Sequence, residues 1–199
     1  MTTADRRATL RETLIDLARG QIEREGVESL KARALAQQAE CSVGSIYNVF
    51  GDMRDLVMAV NGQTFLALGQ EVTDRVAGEA GATPTDRMIA MAEGYLSFAA
   101  ANPRLWQALF ATELTHATDV PEWYLTALDN LFAIIDAPLR EVFPNLSDEK
   151  IRIRTRALFS SIHGIVLLGI EQRISAVEED HLSEMIQFIL TSIADSTEK

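Results

Sequence analysis

The stretch "GVESLKARALAQQAECSVGSIYNVFGDMRDLVMAV" (Gly26–Val60) decides how the rest of the chain is read. Two short segments within it carry helical periodicity, Lys31–Gln38 and Ser42–Asn48, with only Ala39, Glu40 and Cys41 between them. Gly26 precedes the pair and Gly51-Asp52 follows it, so both ends are punctuated by residues that stop or start helices. Ala36 and Ala39 are small where two helices must cross closely. Leu35, Val43, Ile46 and Phe50 form an apolar face that holds the second short helix down. Ser42 is placed to cap that helix and to offer its amide and hydroxyl to a phosphate. Gly44 keeps the front of the helix low, and Ser45, Tyr47 and Asn48 fall on the outward face. Upstream, Leu10, Leu14, Leu17, Ala18 and Ile22 line one face of a helix over Asp5–Glu25. A supporting helix, a tight turn and a second short helix with a polar outer face are the parts of a helix-turn-helix reader of DNA.

Beyond this unit the pattern stays helical and no segment alternates with period two. Asp52 is placed to cap a long helix over Met53–Val76, which ends in Gly78–Pro84. Further helices read as Pro84–Ala101, Pro103–Glu113, Pro121–Phe143, Ser147–Arg173 and Glu179–Ala194, with Ser147 as a cap. The expected fold is all-α with about nine helices: a three-helix DNA-binding unit over 1–51 and a larger helical bundle over 52–199.

Composition sets outer bounds. Of 199 residues, 47% are apolar and 24% charged, which fits a folded domain rather than a disordered chain. The longest apolar stretch, Ala157–Ile170, is shorter than the roughly 20 residues that span a bilayer and reads as a buried helix. With a polar start at Thr2–Arg11 and a single cysteine, the expectation is a cytoplasmic protein without membrane partners. Net charge is −11, but residues 1–56 carry only −1 of it and residues 57–199 carry −10. An acidic body repels nucleic acid and confines contact to the nearly neutral end.

The quoted segment resembles the N-terminal domain of TetR-type transcriptional regulators. The matching positions are Arg33, Ala36, Ala39, Ser42, Val43, Gly44, Ser45, Ile46, Tyr47, Phe50 and Leu56, with Arg11, Leu14, Ile15, Ala18 and Gly26 upstream. The resemblance implies that Lys31–Gln38 is a positioning helix and Ser42–Asn48 a recognition helix, with Tyr47 on the phosphate backbone. The implied DNA-contacting set is Lys31, Arg33, Ser42, Val43, Gly44, Ser45, Tyr47 and Asn48. Three positions depart from the family's habit. Lys31 stands where Thr or Ser usually caps, Glu40 replaces a turn glycine, and Met53 replaces a lysine that meets phosphate.

"YLSFAAANPRLWQALF" (Tyr95–Phe110) and "ALFSSIHGIVLLGIEQR" (Ala157–Arg173) are similar to a C-terminal domain common among these regulators. That similarity implies an induction pocket among the middle helices and a homodimer built from the last two. The ligand set read here is Phe65, Met88, Met91, Tyr95, Phe98, Trp106, Phe110, Trp123, Leu128 and His163, for a small apolar or aromatic effector. Each of these side chains has a second reading as ordinary core, and His163 also reads as a satisfied core or interface histidine. The dimer set is Leu158, Ser161, Ile162, Ile165, Leu168, Met185 and Ile189, where small Ser161, Gly164 and Gly169 permit close helix approach. The alternative is that these helices pair inside one monomer. His116, His163 and His181 have no ligand spacing with one another or with Cys41, so neither metal nor cofactor is expected.

The function that follows is a ligand-responsive regulator, a repressor by preference, binding a palindromic double-stranded operator as a dimer. A rival reading keeps the scaffold and the ligand but loses DNA recognition, a possibility raised by Glu40 and Met53. An enzyme has no support, since no paired carboxylates, nucleophile triad or phosphate-cradling glycine loop is present in the sequence.

Overall fold

The computed structural model describes residues 2–77, 81–111, 120–172, 178 and 181–195. Among these there are nine α-helices, one 3₁₀ turn and no strand. In chain order the helices are α1 (Thr3–Glu25), α2 (Ala32–Gln38), α3 (Val43–Val49), α4 (Met53–Ala77), α5 (Pro84–Ala101), α6 (Pro103–Ala111), α7 (Glu122–Val142), α8 (Asp148–Ile170) and α9 (Leu182–Asp195). The all-α architecture read from periodicity is the one observed. The expected helix ends at Gly78, Glu113, Arg173 and Glu179, and the histidine at 116, lie outside the described residues.

Helix starts follow capping chemistry. Thr2 and Asp5 form a reciprocal capping box at α1: the Asp5 amide donates to Thr2 Oγ1 (3.1 Å) and the Thr2 amide to Asp5 Oδ2 (2.7 Å). Thr83 and Asp86 repeat the arrangement at α5. In both boxes the threonine's hydrogen bonds hold the aspartate below the usual carboxylate range. Asp52 accepts from the Asp55 amide (2.8 Å) at α4, and Ser147 caps α8. α1 ends at Gly26, whose φ of +86° suits a residue without a Cβ.

The chain divides into two compact units. The first comprises Met1–Leu66 with Asn102–Leu125. Its core joins Leu14, Ile15, Ala18 and Ile22 of α1 to Leu35 and Ala36 of α2 and Ile46 of α3. Phe50, Leu56, Ala59 and Val60, then Leu105 and Ala108 of α6, complete it. A three-helix head thus draws α4 and α6 into its own core, where they help cover the apolar stripe of α1.

The second unit comprises Ala67–Ala101 with Thr126–Lys199. Here α5 packs on α8 and α9, and α8 packs on α9. α8 is not the fully buried helix expected from its composition. Leu158, Ile162, Val166 and Gly169 are covered, while Ile153 (61% exposed) and Leu168 (39%) are not. Only one stripe of a helix can face α5 and α9 in a single chain, so the remainder of an apolar helix stays outside. At 23 residues α8 is long and apolar enough to cross a bilayer by composition alone, but Arg152, Arg154 and Arg156 lie on its exposed side.

Candidate nucleic-acid interface

The reading helix is positioned from below. Ile46 and Phe50 are buried in the first unit's core, and the Arg11 guanidinium lies over the Phe50 ring at 5.3 Å from its centroid. That stack ties the end of α3 to α1. Ser42 caps α3 by accepting from the Ser45 amide at 3.0 Å, and the two hydroxyls share a 2.8 Å hydrogen bond. One proton serves that bond, and the other is left to donate outward.

α2 is fixed from its other end. Gln21, buried on the inner stripe of α1, donates from Nε2 to the Ser29 carbonyl at 2.9 Å and so locks the Val27–Ser29 turn that leads into α2. Lys31 is the N-cap residue of α2, and its side chain makes no capping bond. The turn between α2 and α3 is a Schellman arrangement: the Cys41 amide donates to the Ala36 carbonyl (2.9 Å) and the Glu40 amide to that of Gln37 (3.3 Å). The residue at the left-handed position is Glu40, with φ of +50°. A side chain there costs about 1–2 kcal/mol relative to glycine. Cys41, half-buried against the same core, closes the motif as a packing residue.

What faces outward follows from what is tied down. Gly44, Tyr47 and Asn48 are exposed on α3, Tyr47 at 46%; Val43 and Ser45 are half-buried beside them, and Ser42 is exposed at the cap. Lys31 and Arg33 are exposed on α2. The eight residues expected at DNA therefore all lie on α2, α3 or their N-caps within one compact unit. α3 itself carries no charged side chain, so the cations of the surface come from α2 while α3 offers hydroxyl and amide groups. That division suits a reader, in which cations position the protein and neutral polar groups meet base edges. Gln21 is absent from the residues singled out by sequence, although its place between Ala18 and Ile22 on an apolar stripe marks it as a buried polar group.

The residues expected to line a ligand pocket do not all gather in one unit. Phe65, Trp106, Phe110 and Trp123 belong to the first, where Trp106 and Phe110 pair edge-on (5.5 Å) and Phe110 and Trp123 are nearly half exposed. Met88, Met91, Tyr95, Phe98, Leu128 and His163 belong to the second, where the α5 residues are buried. There Tyr95 and His163 share a 2.7 Å hydrogen bond, and the His163 ring stacks on Phe159 at 5.5 Å. Burial lowers the proton affinity of His163.

The expected dimer residues also part into two faces. Leu158 and Ile162 are covered within the single chain. Ser161, Leu168 and Met185 are exposed, and Ile165 and Ile189 are half-buried. Gly169 faces inward, where an added Cβ would meet the Leu182 side chain, whereas nothing lies within 4 Å of one at Gly164. Phe188 of α9, which the sequence pattern did not single out, is 69% exposed.

This geometry agrees with what the chain is similar to. Residues 14–60 match the family model for bacterial regulatory proteins of the tetR family, and residues 88–193 match that for a tetracyclin repressor-like C-terminal domain. An uncharacterized HTH-type transcriptional regulator of Mycobacterium tuberculosis is 28% identical over 170 residues, which is 85% of this chain and 74% of that protein. Among solved structures, RolR in complex with the ligand resorcinol is 18% identical with a TM-score of 0.70, over 98% of this chain and 93% of its own. The TetR family transcriptional regulator PfmR from Thermus thermophilus is 13% identical with a TM-score of 0.61, over 92% of this chain and 97% of its own. Those two structures share its fold. The chain belongs to the TetR family and is a transcriptional regulator of the helix-turn-helix type.

Proposed function

We propose that the protein is a ligand-responsive regulator, acting as a repressor, that binds a palindromic operator as a homodimer and is released by a small apolar or aromatic molecule. The observation that carries the DNA-reading part is the capped α3, held by Ile46 and Phe50, with Gly44, Tyr47 and Asn48 outward. Lys31, Arg33 and Ser42 hold phosphates, Val43 makes apolar contact beside them, and Ser45, Tyr47 and Asn48 approach bases or the flanking backbone. Residues 1–51 serve DNA, and residues 52–199 serve ligand and dimer. That functional division differs from the two compact units, since Asp52–Leu66 and Asn102–Leu125 belong to the same unit as the DNA-binding head.

The homodimer is supported by the outward apolar face of α8 and α9: Ile153, Leu168, Met185 and Phe188. A two-fold pair of heads about 34–36 Å apart would address two successive major grooves. Ligand works by selection between head spacings, and it shifts the population only by its differential affinity for them. The protein acts in the cytoplasm, where its operator lies.

An unbiased selection from random double-stranded DNA tests the reading. The expected product is a two-fold symmetric site, bound by two chains. Recovery of no enriched sequence would favour the same scaffold with DNA recognition lost, the outcome to which Glu40 and Met53 lean.

A further inference from the structure

We propose that Asn61 and Tyr124 form a two-point anchor for the hydroxyl group of a small apolar ligand. The proposal rests on the reading of the chain as ligand-responsive and names the polar chemistry its ligand must carry. Asn61 of α4 is fully buried within the first unit. Its Nδ2 donates to the Ala108 carbonyl at 3.0 Å. That carbonyl lies in the last turn of α6. A carbonyl can only accept, so the orientation of the Asn61 amide is set, and its Oδ1 is turned away from Ala108.

Among the described residues no donor reaches Asn61 Oδ1. The Tyr124 phenol, 1% exposed, stands 3.5 Å from Asn61 Nδ2, a long hydrogen bond in which the phenol oxygen accepts. Its own proton therefore points elsewhere and meets no acceptor among the described residues. Burial raises the pKa of that phenol above its ordinary value, so it stays protonated and able to donate. One site thus holds an unmatched acceptor beside an unmatched donor. A hydroxyl answers both, donating to Asn61 Oδ1 and accepting from Tyr124; a carboxylate or an ether answers only the donor.

The surroundings define the rest of the ligand. Phe65 packs edge-on against Tyr124 at 5.2 Å, and Trp123 does so at 5.5 Å. Trp123 is 46% exposed and lies against Gly62, the residue after Asn61, where an added Cβ would come within 2.9 Å of the indole. Gly62 thereby lets an aromatic ring that reaches solvent lie next to the buried pair. Aromatic walls around a single donor–acceptor pair suit a phenol or an aryl alcohol. The signal in the sequence was an asparagine on the apolar stripe of α4, between Val60 and Phe65.

The test is calorimetric titration of the full-length protein with 4-ethylphenol and with its methyl ether, which keeps the shape but cannot donate. Wild type is expected to bind the phenol at least about tenfold tighter than the ether, and Tyr124→Phe to bring the two within about twofold. Tyr124→Phe keeps the ring contacts and leaves Asn61 on Ala108, so it should fold as wild type does. Equal binding of both probes by wild type, an undiminished preference in Tyr124→Phe, or binding of neither probe would overturn the anchor. Release of operator DNA is read separately by mobility shift. A phenol preference without release contradicts the ligand-responsive reading while supporting the anchor; release by apolar compounds without hydroxyls, with no phenol preference, does the reverse.

Discussion

The DNA-binding head and the α8–α9 pair are both built from amphipathic helices, yet they finish differently. In the head, the apolar stripes of α1, α2 and α3 are all consumed within the chain: Leu14, Ile22, Leu35 and Ile46 have no exposed surface. Among the described residues of α1, α2 and α3, Tyr47 is the one large apolar side chain that is exposed. In α8 and α9 one stripe is consumed (Ile162, Val166, Leu182, Ile186, Leu190), and a second, with Ile153, Leu168, Met185 and Phe188, is left outside. The head covers its apolar stripes within one chain; the helix pair leaves one outside, which the proposed homodimer would cover. Burial thus separates a head with a largely polar surface from a helix pair with an exposed apolar one, the face on which the proposed homodimer rests.

The largest effect should come from emptying the head. Ile46→Ala removes a fully buried side chain at the point where α3 rests on α1 and α2, at about 2–5 kcal/mol. Denaturant unfolding should show that loss, and operator binding should fall with it. A loss under about 0.5 kcal/mol would mean the head is not the tight core described.

On the helix pair the opposite is expected. Phe188→Ser deletes an exposed ring, so the fold of one chain should survive, with helical content unchanged by circular dichroism. Association should weaken by about 2 kcal/mol or more, as for an interface hot spot. Sedimentation that stays dimeric at all concentrations would erase the contrast.

A smaller gain is expected in the turn. Glu40→Gly relieves the left-handed strain and should stabilise the head by about 1 kcal/mol, offset in part by the greater freedom of glycine in the unfolded chain. It also removes a negative charge from the DNA-facing side, so binding at low salt should tighten.

The smallest effect concerns pH. Burial lowers His163 below its ordinary value of 6.5, so the unfolded chain takes up this proton first as pH falls. The stability linked to His163 is present in full above 6.5 and is lost as pH drops through the lowered value. Thermal unfolding of His163→Gln should depend less on pH in that window than wild type does. Identical pH profiles would remove His163 from the account.

The fold was legible because its signals are local. Gly26, Ser42, Asp52 and Ser147 mark helix ends through bonds to their near neighbours, and the α3 stripe is visible at Val43, Ile46 and Phe50. The sites were less legible because their signals are pairwise and distant. Nothing near Asn61 in sequence announces Ala108 or Tyr124, and the α8 pattern alone does not say which of its two apolar stripes, Leu158–Ile162 or Ile153–Leu168, the chain keeps for itself. Phe65 and Met88 look alike as large apolar residues, yet they belong to different compact units.

The central claim, that α3 reads DNA, is tested most directly by fluorescence anisotropy on the site recovered by selection, comparing wild type with Asn48→Ala. Asn48 is exposed, so stability should stay within about 0.5 kcal/mol. The account predicts a loss of about 1–3 kcal/mol on the selected site and little change on unrelated DNA. Unchanged affinity for both, with Tyr47→Ala equally silent, would contradict it.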